Sequence, residues 1–370
     1  MPSASDGGAA DDVRAAIAAA DPVSGQRAIS FEQFMDIALY GEHGFYATGG
    51  TAGRRGDFIT SPEVGPLFGT VLATALDSWW NDLGRPDPFT VVEAGAGPGT
   101  LARSIVAAAP RSLAAIRYVA IEVAASQRAG HPAGIESSAV MPTEPFIGVI
   151  IANELLDNLP FRLFVMDGRW REAFVTVQRD GSLAEILRVA DDIDSSVLPA
   201  NASLGARVPV QARAVQWMES SKALLVSGRL LIIDYASPTT AQFAGRPWRE
   251  WLRTFRGHER GRHYLRDPGL QDITADVAID QIVAAVGEPD AVRTQSQFLR
   301  RWGIDDLVAS GRQYWADNAA APTLAAMKMR SRISEADALL AEPGLGSFTA
   351  IEYAVGGQYS PSPRDLQSSA

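Results

Sequence analysis

The sequence predicts an α/β fold built on a mostly parallel sheet, and two observations predict it. From residue 89 onward, short apolar runs of buried-strand length alternate with stretches of helical period, the pattern of strands joined by crossover helices. The first of those runs, FTVVEAG (89–95), passes into glycines at alternate positions and then into a helical stretch, a junction suited to holding a ligand on exposed backbone. Composition agrees with a large globular chain: 370 residues, 46% hydrophobic and 21% charged, enough for two domains or one enlarged domain.

Composition also narrows function. Cys is absent, which excludes disulfides, thiolate metal sites and a Cys nucleophile. The four His (His43, His131, His258, His263) never fall at HxxxH or HExxH spacing, so no metal is expected. A net charge of −10 argues against a polyanion as the main partner. The N-terminal MPSASDGGAADD has neither a basic region nor an apolar region, so it is no secretory signal. No apolar run approaches the ~20 residues that span a bilayer. The resulting expectation is a soluble, cytoplasmic protein without a membrane span.

The elements follow in order. Residues 1–10 read as a disordered tail. Asp12–Ala20 is an Ala-rich helix closed by Asp21-Pro22, and Ser30 caps a second, FEQFMDIALY, with a helical apolar stripe. GEHGFYATGGTAGRRGDFITSPE (41–63) is a Gly-rich loop. Ser61-Pro62-Glu63 is expected to open a helix that runs on through LFGTVLATALDSWW. Strands are expected at 89–95, 117–123, near Ser138–Met141, and at 146–154. Asp167-Gly168 inside LFVMDGRWREAFVTV signals a hairpin. Later strands are placed at 228–236, 291–296 and 348–355, helices near 209–225 and 276–286, and 237–272 is left irregular and Arg-rich. The domain reading is an N-terminal helical cap with an active-site loop (11–85), a core (86–356) with insertions at about 160–208 and 237–275, and a flexible tail (357–370).

The chemistry concentrates in Val91-Val92-Glu93-Ala94-Gly95-Ala96-Gly97-Pro98-Gly99-Thr100. Glycines permit a tight turn and close ligand approach, and the following helix start offers free N–H groups to an anionic group. The spacing is GxGxG rather than GxGxxG, with Thr100 where the dinucleotide fingerprint wants Gly. Glu93, two places before the first Gly, can pair with an ammonium. A loop serving a carboxylate and an ammonium together suits the amino-acid end of S-adenosylmethionine, with another nucleotide as the runner-up. Glu122, closing the second strand, can accept hydrogen bonds from ribose hydroxyls, or can be a solvated strand-end acid. After the fourth core strand comes Asn153-Glu154-Leu155-Leu156-Asp157-Asn158. If a helical turn starts there, Glu154 and Asp157 share a face and suit a guanidinium; otherwise Asn153 and Asp157 simply cap the turn.

GDFITSPEVGPLFG (56–69), VVEAGAGPGTLARSI (91–105), ANELLDNLPF (152–161), LLIIDYA (230–236) and FRGH…PGLQDITADV (255–277) resemble, in order and spacing, the MidA-type methyltransferases. That family includes the mitochondrial complex I assembly methyltransferase, and the resemblance covers roughly residues 25–356. It implies a class I methyltransferase sheet, Rossmann-like and mostly parallel with an antiparallel last strand, carrying an N-terminal helical cap and an inserted hairpin subdomain. It implies S-adenosylmethionine as cofactor and a protein arginine as acceptor. By this resemblance Glu93, Gly95, Gly97 and Gly99 fall on the cofactor loop, Glu122 on the ribose acid, and Gly56–Glu63 on an N-terminal active-site element; Thr100, Asn153, Ser61 and Pro62 are assigned to the cofactor site beside them. Asn153, Glu154 and Asp157 match the family's post-strand loop and Asp234-Tyr235 its next strand end; from the residues themselves, Glu154, Asp157 and Asp57 are assigned catalytic roles and Asp234, Tyr235, His43 and Tyr46 substrate roles. One departure is Ala278-Ile279 after Asp276-Val277, where relatives have Asp-Phe.

Structural readings stand beside these. Asp57 can hold a substrate cation or cap its turn; His43 can be a turn residue, and Tyr235 a packing residue. RPWREWLRTFRGHERGRHYLR (246–266), with seven Arg, reads as a solvated loop or a docking surface for an acidic protein rather than a nucleic-acid site. The expected partners are a protein substrate and a second copy in a homodimer. The functional alternatives are a non-catalytic adenosylmethionine-binding scaffold and a small-molecule methyltransferase.

Overall fold

The computed structural model describes residues 8–23, 25–48, 60–257 and 259–356. The chain divides into two compact units: a core unit of Ile59–Glu154, Ser220–Asp234 and Glu288–Ala370, and an accessory unit of Met1–Phe58, Leu155–Glu219 and Tyr235–Gly287.

The core unit is a sheet of seven described strands. In chain order these are β1 (Phe89–Ala94), β2 (Ile116–Ile121), β3 (Glu136–Ser138), β4 (Phe146–Asn153), β5 (Leu225–Asp234), β6 (Ala291–Thr294) and β7 (Thr349–Val355). Their spatial order is β3-β2-β1-β4-β5-β7-β6. The first five are parallel; β7 runs antiparallel to β5, and β6 antiparallel to β7. Every residue of β1 is buried, as central strands covered on both faces require, and this is why the run is mostly apolar, Thr90 and Glu93 excepted. From β1 the chain builds outward through β2 and β3, then returns to β1's other side for β4. The reversal leaves a crevice at the carboxyl ends of β1 and β4, where open α/β sheets bind ligands.

The helix expected from Ser61 is two. A single turn, Ser61–Val64, ends at Gly65, and α1 (Pro66–Asp82) begins afresh. A Cβ at Gly65 would lie 2.4 Å from Glu335 Cδ, whose carboxylate accepts the Leu67 N–H at 2.8 Å and so closes α1's amino end. Thr60 holds the N-cap position of the Ser61–Val64 turn. α2 (Thr100–Ala108) follows β1.

In the accessory unit, Ser30 does cap its helix (Phe31–Tyr40), accepting the Gln33 N–H at 3.1 Å. The Asp167-Gly168 hairpin forms between Arg162–Met166 and Trp170–Val177, with Gly168 at φ 72°. It belongs to an antiparallel sheet completed by Ile29–Ser30, Leu183–Arg188 and Arg207–Val210. Phe31, Phe34, Phe161, Phe164, Trp251 and Tyr264 form the centre of this unit's core. Residues 237–272 are not irregular throughout: Leu252–Arg256 pairs with Glu259–Arg260 on one side and Asp272–Ala275 on the other. Among the described residues, no helix is long and apolar enough to cross a membrane.

Candidate functional site

The crest after β1 is built on left-handed backbone. Gly95, Gly97 and Gly99 have φ of 72°, 52° and 77°, values that cost an L-residue ~1–2 kcal/mol each. The turn is braced on all sides. Ala96 N–H donates to Ile121 O at 2.9 Å, and Gly97 N–H to Glu122 Oε2 at 3.0 Å. His131 Nε2 lies 2.9 Å from Gly97 O. Thr100 then opens α2.

Glu122 is 8% exposed, and its second oxygen accepts the Ala124 N–H at 2.8 Å. Both oxygens are therefore already engaged with backbone. A carboxylate has about four lone-pair directions, so capacity remains for a ligand hydroxyl. Glu93 is 5% exposed and accepts the Tyr118 hydroxyl at 2.7 Å. Burial pushes its carboxyl up to about 7, against the opposing pull of the Tyr118 hydrogen bond, and Tyr118's own hydroxyl is pushed well above its usual range by the same burial.

Across the crevice, β4 ends in Asn153, and Glu154 follows at φ 53°, a left-handed conformation rare for a residue with a side chain. Its N–H donates to Ile233 O at 2.8 Å, which anchors the turn to β5. Glu154 Oε1 accepts from Asn153 Nδ2 at 3.0 Å and from Ser61 N–H at 3.3 Å. Asn153 Oδ1 is buried with no hydrogen-bond partner among the described residues, an acceptor that a ligand donor would satisfy. Ser61 is fixed in turn: its hydroxyl donates to Gln295 Oε1 at 2.8 Å, while Gln295 Nε2 donates to Leu339 O at 3.2 Å.

The core unit thus holds Glu93, Gly95, Gly97, Gly99, Thr100, Glu122, Asn153, Glu154, Ser61, Pro62 and Asp234, the last being wholly buried at the end of β5. His43, Tyr46, Asp157 and Tyr235 belong to the accessory unit, and Asp57 lies outside the described residues. The helical pairing of Glu154 with Asp157 does not form. The turn starts only at Leu156, and Glu154 at positive φ cannot belong to it. His43 is paired through Nδ1 with Asp12 Oδ2 at 2.8 Å. Tyr46 donates to Asp272 Oδ1 at 3.1 Å and stacks on Tyr40, and burial pushes its hydroxyl well above the usual range.

Sequence reading missed Gln295 and Tyr118. Tyr118 was the more accessible of these, because strand alternation puts it on the same face as Ala120, the β2 partner of Glu93. Gln295 lies 234 residues from Ser61, and no local pattern connects them.

Sheet order and the glycine crest after β1 are those of a methyltransferase-class sheet. Residues 71–296 match the family described as "Putative S-adenosyl-L-methionine-dependent methyltransferase", and the chain belongs to that family. A Burkholderia thailandensis protein whose crystal structure contains S-adenosyl-homocysteine superposes with a TM-score of 0.80 at 27% identity, over 95% of this chain and 93% of that one. A native crystal structure from the same organism gives 0.77 at 26% identity, over 95% and 92%. The mitochondrial protein arginine methyltransferase NDUFAF7 of Danio rerio is 25% identical over 75% of this chain and 74% of its own length. Its Drosophila melanogaster homologue is 27% identical over 66% of this chain, which spans 63% of that relative. The protein is a methyltransferase dependent on S-adenosylmethionine. The cytoplasmic placement is corrected by these relatives, which are named as mitochondrial.

Proposed function

We propose that this methyltransferase transfers a methyl group to a guanidino nitrogen of a protein arginine, with Glu154 as the carboxylate that receives the guanidinium. The curated relatives are named protein arginine methyltransferases. The observation that carries the reading is Glu154 itself, held at strained φ beyond the carboxyl end of β4 with its carboxylate oriented by two donors. Such strain persists where the surroundings over-determine it, and it clusters at functional sites.

The cofactor would be held by Glu93, Gly95, Gly97, Gly99, Thr100, Glu122, Asn153, Ser61 and Pro62. Asn153's orphaned oxygen and the Cβ-free crest fit a ligand carrying ammonium and carboxylate groups. When bound, S-adenosylmethionine supplies an electrophilic methyl on a sulfonium. Glu154 would bind the guanidinium by charge-assisted hydrogen bonds and orient one nitrogen for attack. Hydrogen bonding at the other nitrogens concentrates electron density on the attacking one, and the proton it loses passes to Glu154 or to water.

The test is transfer of labelled methyl from S-adenosylmethionine into acid-precipitable protein, with methylarginines resolved after hydrolysis. Glu154→Gln should lower turnover by about 100-fold with cofactor affinity within about threefold of wild type. Label found only in solvent-extractable products would refute the protein-arginine reading.

A further inference from the structure

The accessory unit contains a buried arginine only partly used by its surroundings. Arg253 lies on the strand Leu252–Arg256, opposite Thr274, and its side chain is 9% exposed. Three contacts fix it. The guanidinium carbon is 4.2 Å from the ring centre of Tyr235. Nη1 donates to Glu250 O at 2.7 Å and stands 2.8 Å from Asp276 Oδ1. Asp276 is itself committed through its other oxygen, which takes Arg246 Nη2 at 2.5 Å and the Ser237 hydroxyl at 3.2 Å.

What remains is the opposite edge. Nε and Nη2 of Arg253 are buried and meet no hydrogen-bond partner among the described residues, and neither does the hydroxyl of Thr274 across the strand pair. The N–H bonds of Nε and Nη2 run parallel, and together they match the two oxygens of a carboxylate. The same chain uses that edge elsewhere. Arg117 gives Nε and Nη2 to the two oxygens of Glu136 at 2.7 and 2.6 Å, and Arg162 gives them to Glu172 at 3.0 and 2.6 Å. Leaving two charged donors buried and unmet is unfavourable, so this edge calls for an acceptor.

We propose that Arg253 is a carboxylate-recognition site, its Nε–Nη2 edge and the Thr274 hydroxyl opposite it receiving one carboxylate. Charge selects the class. Arg246, Arg253 and Asp276 sum to a single positive charge, which one carboxylate neutralises and a dianionic phosphate would exceed. The carboxylate comes from an acidic side chain of a protein acceptor or from a free small acid. Carboxylate binding at Arg253 stands independently of the proposed function.

The experiment follows the Arg253 Nε–H signal in the 15N-labelled full chain, assigned through its own side-chain correlations so that no variant has to fold. Three titrants are compared at equal ionic strength: sodium acetate, a short peptide containing Glu, and the same peptide with Gln in its place. The expected result is a saturable downfield shift with acetate and with the Glu peptide, the latter acting at least about tenfold more tightly than the Gln peptide. Arg253→Lys, which keeps the charge but loses the fork, should abolish the discrimination between the peptides. A response to acetate alone assigns the site to a small acid. An unmoved signal, or equal response to both peptides, overturns the proposal and leaves the edge to an ordered water. Carboxylate binding without any methyl incorporation would instead sink the arginine-methylation reading and leave this site standing.

Discussion

Glu93 makes the stability of this protein depend on pH in a window set by its burial. Its carboxyl is moved from the ordinary 4.5 to about 7, chiefly by desolvation. That displacement is equivalent to ~3 kcal/mol of preference for the neutral form. The folded-state value is raised, so the contribution is fully present below pH ~4.5 and is lost as pH rises through ~7. Between about pH 5 and about pH 8.5 the folded state should therefore lose about 2–3 kcal/mol through this one group. Glu93→Gln removes the titration. Its amide still accepts from the Tyr118 hydroxyl but can lose the Ala102 backbone N–H that now helps hold the carboxylate. The variant's absolute stability is thus no test, and the slope with pH is. Urea unfolding of both proteins, monitored by Trp fluorescence without cofactor, should show a pH slope in wild type that Glu93→Gln lacks. Parallel slopes would refute the argument, since they would mean that the carboxyl titrates at its ordinary value despite being 5% exposed.

Three further outcomes follow from the same geometry. Tyr118→Phe deletes the hydrogen bond that favours the charged carboxylate of Glu93, so the midpoint of that pH dependence should move upward; a downward move would contradict the assignment. Gly97→Val places a β-branched residue at φ 52° with its Cβ 3.2 Å from Gln127 Oε1. Cofactor affinity measured by calorimetry should fall at least about tenfold, and unchanged affinity would displace the site from the crest. Gln295→Leu leaves the Ser61 hydroxyl and Leu339 carbonyl without their partners, at a cost of ~1–3 kcal/mol in unfolding free energy. It should also speed hydrogen exchange at the Ser61 amide, because the donor to Glu154 is no longer anchored; unaltered exchange would show that Gln295 does not position it.

Much of the core was legible because its causes are local. A central parallel strand is buried on both faces, so FTVVEA and FIGVIIAN announce themselves as predominantly apolar runs. Glycine at three alternate positions reports left-handed backbone directly, and all three have positive φ. Asp167-Gly168 specified its hairpin for the same reason. The failures arose where a distant group decides a local conformation. Nothing near Gly65 says that Glu335 will occupy the space of a Cβ and end the helix there. Residues 252–256 and 272–275 lack a strong strand pattern, and they become strands by pairing with each other.

The sequence alone determined which backbone could turn at the ligand crest, which strands are central, and which acids stand at strand ends, since each follows from side-chain size, polarity and chain order. Only the tertiary structure decided what those acids experience. Glu93 is driven toward neutrality by burial, Glu122 is spent partly on the crest, Glu154 is held by Ser61 through Gln295, and one buried edge of Arg253 meets no hydrogen-bond partner among the described residues. Protonation and hydrogen-bond occupancy depend on every group that surrounds an atom in space, and most of those groups are far away along the chain.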